Sequence, residues 1–140
     1  MTPEERSFLT TQLAQKHAWY NTGSRAWSFV YNGSLVLSAL LSGMAAGVAK
    51  IAFFKDAGHL SDDNIKDIVA GMAALATLLT TTTVGGGAGR KWQANRVSRG
   101  RIERLNLTLS DPNADASKIR AELDDIIAKH DGAIIGTPVK

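Results

Sequence analysis

The spacing that most invites a chemical reading is Asp111-x-Asn113-x-Asp115-x-Ser117 followed by Glu122, which imitates the order of oxygen ligands in a calcium-binding helix–loop–helix. That loop needs glycine at its sixth position for a sharp turn, and here the position is Ala116. Residues from Ala116 onward also read as helix, so Asp115 is better explained as a helix cap than as a ligand. Gly85-Gly86-Gly87-Ala88-Gly89 has the composition of a phosphate-cradling loop. Such a loop follows a strand and ends in Lys-Ser or Lys-Thr, whereas here a helix precedes and Arg90-Lys91-Trp92 follows. Close helix contact or a hinge is the expectation instead. His17, His59 and His130 lie in three separate regions without ligand spacing and read as surface or interface residues. The chain has no cysteine, which excludes disulfides, thiol nucleophiles and zinc–thiolate sites. With no recognisable Ser-His-Asp or paired-carboxylate arrangement, no catalytic residue, metal or cofactor is expected, and the chain does not read as an enzyme.

The remaining chemistry is that of hydroxyls and small residues at helical spacing. Charged residues are absent over the 24 residues from Ala26 to Ala49 and the 22 from Ile68 to Gly89. A bilayer core takes about 20 helical residues, so each run is long enough to span one. On a helical wheel the first run sorts by size. Leu37, Leu40, Leu41, Met44 and Val48 form a stripe suited to lipid; Val36, Ala39, Gly43 and Gly47 form a small-residue stripe with a Gly-x-x-x-Gly pair; Ser34, Ser38 and Ser42 form a hydroxyl stripe continued by Ala45 and Ala49. In the second run Ile68, Met72, Leu75 and Leu79 lie opposite Ala70, Ala74, Thr77, Thr81 and Ala88. Between helices in lipid, small residues and hydroxyl hydrogen bonds supply the attraction. Gly43, Gly47, Gly85 and Gly89 are therefore candidate helix-contact positions, and Ser34, Ser38, Ser42, Thr77 and Thr81 candidate pore-lining positions. More such faces are present than one hairpin can use, which points to a homo-oligomer.

The elements that must carry these residues follow from caps and turns. Thr2, Pro3, Glu4 and Glu5 start a helix with Phe8, Leu9, Leu13 and Tyr20 as its apolar stripe. Asn21, Thr22, Gly23 and Ser24 are turn-formers, and a break or kink is expected there. The first span ends at Phe53-Phe54 and Lys55, Asp56-Ala57-Gly58-His59 turns, and Ser61 or Asp62 caps the second. Beyond Gly89 a basic helix to about Leu109 puts Ile102, Leu105 and Leu109 on one side. Asp111-Pro112-Asn113 turns, and an amphipathic helix covers about Asp115 to His130 with Ile119, Leu123, Ile126 and Ile127 as its stripe and Gly132 as its stop. The expected fold is all-α: a transmembrane hairpin with an N-terminal amphipathic helix (1–25), spans at 26–52 and 67–89 joined by a short external loop (53–66), and C-terminal cytoplasmic helices (90–140). The alternative is a soluble four-helix bundle, which would normally show water a charged face on each helix; neither run has one.

Flanking residues set the orientation. Trp19, Tyr20, Trp27 and Tyr31 cluster at the start of the first span and Trp92 lies just past the second, where aromatic belts sit at headgroup level. Arg90, Lys91, Arg96, Arg99, Arg101 and Arg104 follow the second span, and Lys16 and Arg25 precede the first. The connection carries only Lys50, Lys55 and Lys66, so both termini are expected in the cytoplasm of a bacterial inner membrane. The start MTPEERS is unlike the basic n-region of a signal peptide, so the first run is expected to stay as an anchor. Net charge from Arg90 to Arg104 is +5, which suits anionic headgroups. No nucleic-acid reader module accompanies it. Asp111 to Asp131 holds six acids against three bases and could fold back on the basic helix or reach a neighbouring subunit's.

This layout resembles the SLATT family of prokaryotic effectors, which carry two transmembrane helices followed by a cytoplasmic helical region. The likeness runs from about His17 to Ile135 and is most marked at Lys91-Trp92-Gln93-Ala94-Asn95-Arg96, leading into Arg101-Ile102-Glu103-Arg104-Leu105. The resemblance implies an oligomeric membrane effector of antiphage or conflict defence. It would form a pore or otherwise damage the membrane, triggered by a separate sensor protein or nucleotide signal. A phage holin shares the small size and few spans, but its charged tail is usually short and disordered. A non-pore scaffold or a small subunit of a larger complex is the third class.

Overall fold

The computed structural model describes residues 1–53 and 62–136. They form four α-helices and no strand: α1 (Pro3–Phe53), α2 (Asp62–Gly85), α3 (Ala88–Leu109) and α4 (Ala116–Ile135). The expected turn at Asp56–His59, the Ser61 cap, and Phe54 and Lys55 lie outside the described residues. The helices divide between two compact units, Met1–Ser28 with Gly89–Lys140, and Phe29–Ala88.

The first unit is a three-helix bundle of the N-terminal half of α1 with α3 and α4. Its start is a reciprocal cap: Thr2 Oγ1 accepts from the Glu5 amide at 3.1 Å, and Glu5 Oε2 accepts from the Thr2 amide at 2.9 Å. The core joins Leu9, Leu13 and Tyr20 of α1 to Ile102, Leu105 and Leu109 of α3 and Ile119, Leu123 and Ile126 of α4. Those are the stripes legible in the sequence, except that Phe8 faces outward, 57% exposed. Asp115 caps α4 by accepting from the Ser117 amide at 2.9 Å and the Ser117 hydroxyl at 2.7 Å, while the Asp111 carboxylate accepts from the Asn113 amide. Asp111 and Asp115 of the calcium-like spacing thus serve the turn and the cap. The acidic helix does meet the basic one, with Arg101 Nη2 2.7 Å from Asp125 Oδ2.

Three expectations about local structure are corrected. The turn-formers Asn21 to Ser24 lie inside an unbroken α1. Tertiary contact overrides their propensity: Asn21 Oδ1 accepts from Arg99 at 3.1 Å, Ser24 is buried, and Gly23 faces Asn95 so closely that a Cβ would collide with its side-chain oxygen. α4 runs through Gly132 and stops at Gly136, whose left-handed φ of 82° lets its amide reach the Gly132 carbonyl. His130 is a core residue, 2% exposed, not a surface one.

The second unit pairs the C-terminal half of α1 with α2. Residues shielded from solvent recur at intervals of three and four on both helices: Tyr31, Ser34, Ser38, Leu41, Ala45 and Val48 on α1; Ile65, Val69, Met72, Ala76, Leu79 and Thr83 on α2. That 3.5-residue repeat is the seam of a helix pair. The seam cuts across the sequence-based stripes. Met72 and Leu79 turn inward, Thr77 and Thr81 stay exposed, and Leu41 and Val48 leave the lipid-suited stripe. The most buried positions are small or hydroxylated (Ser38, Ala45, Ala76, Thr83), which lets the two backbones approach and leaves the larger side chains outside. α2 ends in a glycine turn in which the Gly86 amide reaches the Thr82 carbonyl at 2.8 Å and Gly87 takes a left-handed φ of 69°.

Candidate functional site

Each unit offers one concentrated set of polar groups. In the second unit it is the hydroxyl centre of the seam. Ser38 Oγ donates to the Ala76 carbonyl at 3.0 Å, Thr80 Oγ1 donates to the same carbonyl at 3.0 Å, and the two hydroxyls are 2.7 Å apart. Beside them Ser42, Ala45, Ala73, Thr77 and Thr81 line an open depression of about 410 Å³. Ser38, Ser42, Thr77 and Thr81 are thereby brought together; Ser34, half-buried on the seam, does not line the depression. Thr80, the residue that completes the hydroxyl pair, was not singled out from the sequence. Thr77 and Thr82 donate back to the carbonyls of Ala73 and Leu78, so these hydroxyls have intrahelical partners even where no second helix covers them.

The glycines stand apart from this seam. A Cβ built on Gly43, Gly47 or Gly85 meets nothing within 4 Å, so among the described residues these glycines mediate no close helix contact. Gly89 falls in the first turn of α3 and is half-buried. Large apolar side chains are equally bare. Phe29 is 81% exposed, Leu40 58%, Leu78 62% and Val84 67%. In the most apolar stretch of each helix only 11% is buried, whereas the core helix of a soluble bundle is mostly covered. Both helices are long and apolar enough to cross a bilayer; α2 alone extends about 36 Å at 1.5 Å per residue.

In the first unit the aromatic and basic residues divide into two groups. Tyr20 is no interface anchor but core, fully buried beneath His130 with ring centroids 4.4 Å apart. Trp19, 56% exposed, packs on both rings. Trp27 and Trp92 are half-buried, as is Tyr31 on the seam of the second unit; Lys91 Nζ sits 4.4 Å over the Trp27 ring and the Arg96 guanidinium 5.7 Å over Trp92. Arg99 and Arg101 are spent inside the bundle, on Asn21 with Glu103 and on Asp125 respectively. Arg25, Arg90, Arg96 and Arg104 face solvent.

His130 Nδ1 lies 3.1 Å from the Ser98 hydroxyl. Burial pushes its pKa below the ordinary value of 6.5; the Ala94 carbonyl and Asp131 pull it back up, and Lys16 pushes it further down. Burial and Asp131 raise the Tyr20 phenol. The Tyr20 hydroxyl has no hydrogen-bond partner among the described residues. His17 is paired at the surface with Glu103 at 3.0 Å, and His59 lies outside the described residues. Among the described residues no three His, Asp or Glu side chains converge as a metal site would require.

No family model matches the chain, and no curated protein or solved structure matches it either.

Proposed function

We propose that the chain is a membrane-spanning hairpin, with both termini in the cytoplasm of a bacterial inner membrane, that assembles into homo-oligomers and permeabilises the bilayer. Its role would be that of an effector in antiphage or conflict defence, released by a separate sensor or nucleotide signal; that assignment rests on the resemblance to the SLATT layout. The observation that carries the membrane reading is how the second unit distributes its residues. Its seam hides small and hydroxylated side chains, while Phe29, Leu40, Leu78 and Val84 stay bare. A soluble monomer rarely shows so large an apolar surface, but hydrocarbon solvates it at no loss.

Assembly is supported by what remains unused. Gly43 and Gly47 leave an open track along α1, and Ser42, Thr77 and Thr81 lie exposed around the open depression beside the seam. Close approach of a second copy would fill the track and bring the hydroxyls towards a shared axis. A holin-like protein with a short disordered tail fits less well, because the first unit has caps and a core of its own.

The test is reconstitution of the full chain into dye-loaded vesicles, with oligomers followed by cross-linking. Wild type should cross-link beyond the monomer and release dye. Gly43→Leu with Gly47→Leu should weaken both by steric separation of the helices. Thr77→Val with Thr81→Val should lower leakage while leaving oligomer size unchanged. Wild-type oligomers in sealed vesicles would reject the pore and leave a scaffold.

A further inference from the structure

We propose that the groove between α3 and α4, wholly within the first unit, binds the phosphate headgroup of an anionic phospholipid. The inference rests on the membrane insertion proposed above and assigns to one site what the basic stretch alone would spread over a surface.

The groove holds about 670 Å³, within the range of small-ligand sites. Arg90 and Arg101 from α3 and Lys129 from α4 line it, together with Val97, Ala133 and the Ser98–His130 pair. The repeat along α3 explains the convergence: positions 90, 97 and 101 fall on one helical face, which opposes the last two turns of α4. Three cations meet one carboxylate, since Asp125 pairs with both Arg101 (2.7 Å) and Lys129 (2.9 Å). Arg90 has no carboxylate partner among the described residues, and the first turn of α3 contains no acid to offset it. Its guanidinium lies against Gly136, where an added Cβ would strike it. The excess charge therefore calls for an anion.

Two observations favour a lipid over a free phosphate compound. Val97 is 62% exposed beside the cations, an apolar wall suited to glycerol and the first acyl carbons. Arg90 follows the end of α2 at Gly85 by five residues. At no more than about 3.5 Å per residue, the chain cannot carry it farther than roughly 18 Å from that end by any path. Headgroups extend roughly 5–8 Å beyond the hydrocarbon on each side, and so short a tether permits the long arginine side chain to lie among them.

The test uses the full chain purified in a neutral detergent, with native mass spectrometry counting retained phosphatidylglycerol against phosphatidylcholine. Wild type should retain phosphatidylglycerol preferentially. Arg90→Gln with Lys129→Gln should weaken retention roughly thirtyfold, from the usual contribution of a basic residue near a charged surface. Val97→Trp should block the groove without removing a charge, which keeps the test decisive if the double variant fails to fold. Arg96→Gln, on Trp92 and away from the groove, should change nothing. An equal loss in Arg96→Gln would show diffuse attraction and overturn the site. So would equal retention of the two lipids, or displacement by glycerol phosphate or inorganic phosphate at matched concentration, which would assign the groove to a soluble anion. A chain that stays soluble without detergent would instead refute the insertion on which the site depends.

Discussion

Ser38 and Thr80, on different helices, converge on one acceptor: both hydroxyls lie 3.0 Å from the Ala76 carbonyl and 2.7 Å from each other. A backbone carbonyl already used within α2 thus gains a donor from α1, and the seam has a polar fastener where Ser38 meets Ala76. Ser38→Ala and Thr80→Val should each loosen the hairpin, and together they should lose less than the sum. Measured couplings of this kind are about 0.6 kcal/mol and reach roughly 1.7 kcal/mol. A double-mutant cycle on unfolding in detergent measures the coupling, and strict additivity would dissolve the fastener.

Gly23 tests the unbroken α1. A helix normally gains about 1 kcal/mol when glycine becomes alanine. Here the new Cβ would run into Asn95 Oδ1, and Asn95 cannot easily retreat because its Nδ2 donates to the Lys91 carbonyl at 2.7 Å. Overpacking of this type typically destabilises by about 1–3 kcal/mol, so Gly23→Ala should be neutral to destabilising and Gly23→Val clearly worse. Adding Asn95→Ala should restore much of the loss in Gly23→Ala, measured by chemical unfolding followed by circular dichroism. Stabilisation by Gly23→Ala alone would show that the helices are farther apart.

The Tyr20 ring should matter more than its hydroxyl. That oxygen is buried without a partner among the described residues, and an unsatisfied buried polar group is unfavourable by about 1–3 kcal/mol. Tyr20→Phe should therefore leave the bundle as stable or make it more so, whereas Tyr20→Ala should lose about 3–5 kcal/mol with the ring. Marked destabilisation by Tyr20→Phe in a thermal melt would reveal a partner for the oxygen.

Much of this architecture could be read from the chain because it depends on local rules. Thr2 with Glu5, Asp115 with Ser117, and the stripes ending in Leu109 and Ile126 act within a few residues of themselves. The uninterrupted helix through Asn21 and Gly23 was hidden, since Arg99 and Asn95, which reward it, lie more than 70 residues away. His130 reads as a surface or interface residue for the same reason: its cover comes from Trp19 and Tyr20. Hydroxyl stripes are visible on both apolar runs, but a wheel gives no register, so nothing marks Thr80 as the partner of Ser38. The α3–α4 groove likewise exists only once Arg90 and Lys129 are brought side by side.

Acid should loosen the first unit through His130. Its folded pKa lies below 6.5, chiefly through burial; Asp131 and Lys16 act on its charge, Tyr20 packs on its ring, and Arg90, Arg101 and Lys129 share the groove it lines. Between that lowered value and 6.5 the unfolded chain binds more protons, so stability is full above 6.5 and falls as the pH drops beneath it. Glu5, Asp115 and Asp125 have lowered pKa values, each held down by hydrogen bonds. Their contributions fade only below 4.5, the higher of their ordinary values, which leaves about pH 5–6.5 to His130. Unfolding midpoints across that window should decline in wild type and flatten in His130→Gln. An unchanged slope in the variant would assign the effect to another group.

Bilayer insertion of α1 and α2 is the claim on which the rest depends, and alkaline carbonate extraction of bacterial membranes followed by flotation measures it directly. The chain should remain with the lipid fraction after extraction, because hydrocarbon would solvate the bare Phe29, Leu40, Leu78 and Val84 and the helical backbone satisfies its own hydrogen bonds. A probe at Gly58 or Ser61 should react from the periplasmic side while tags at both termini stay protected. Recovery of the full chain as a soluble monomer without detergent would contradict the account.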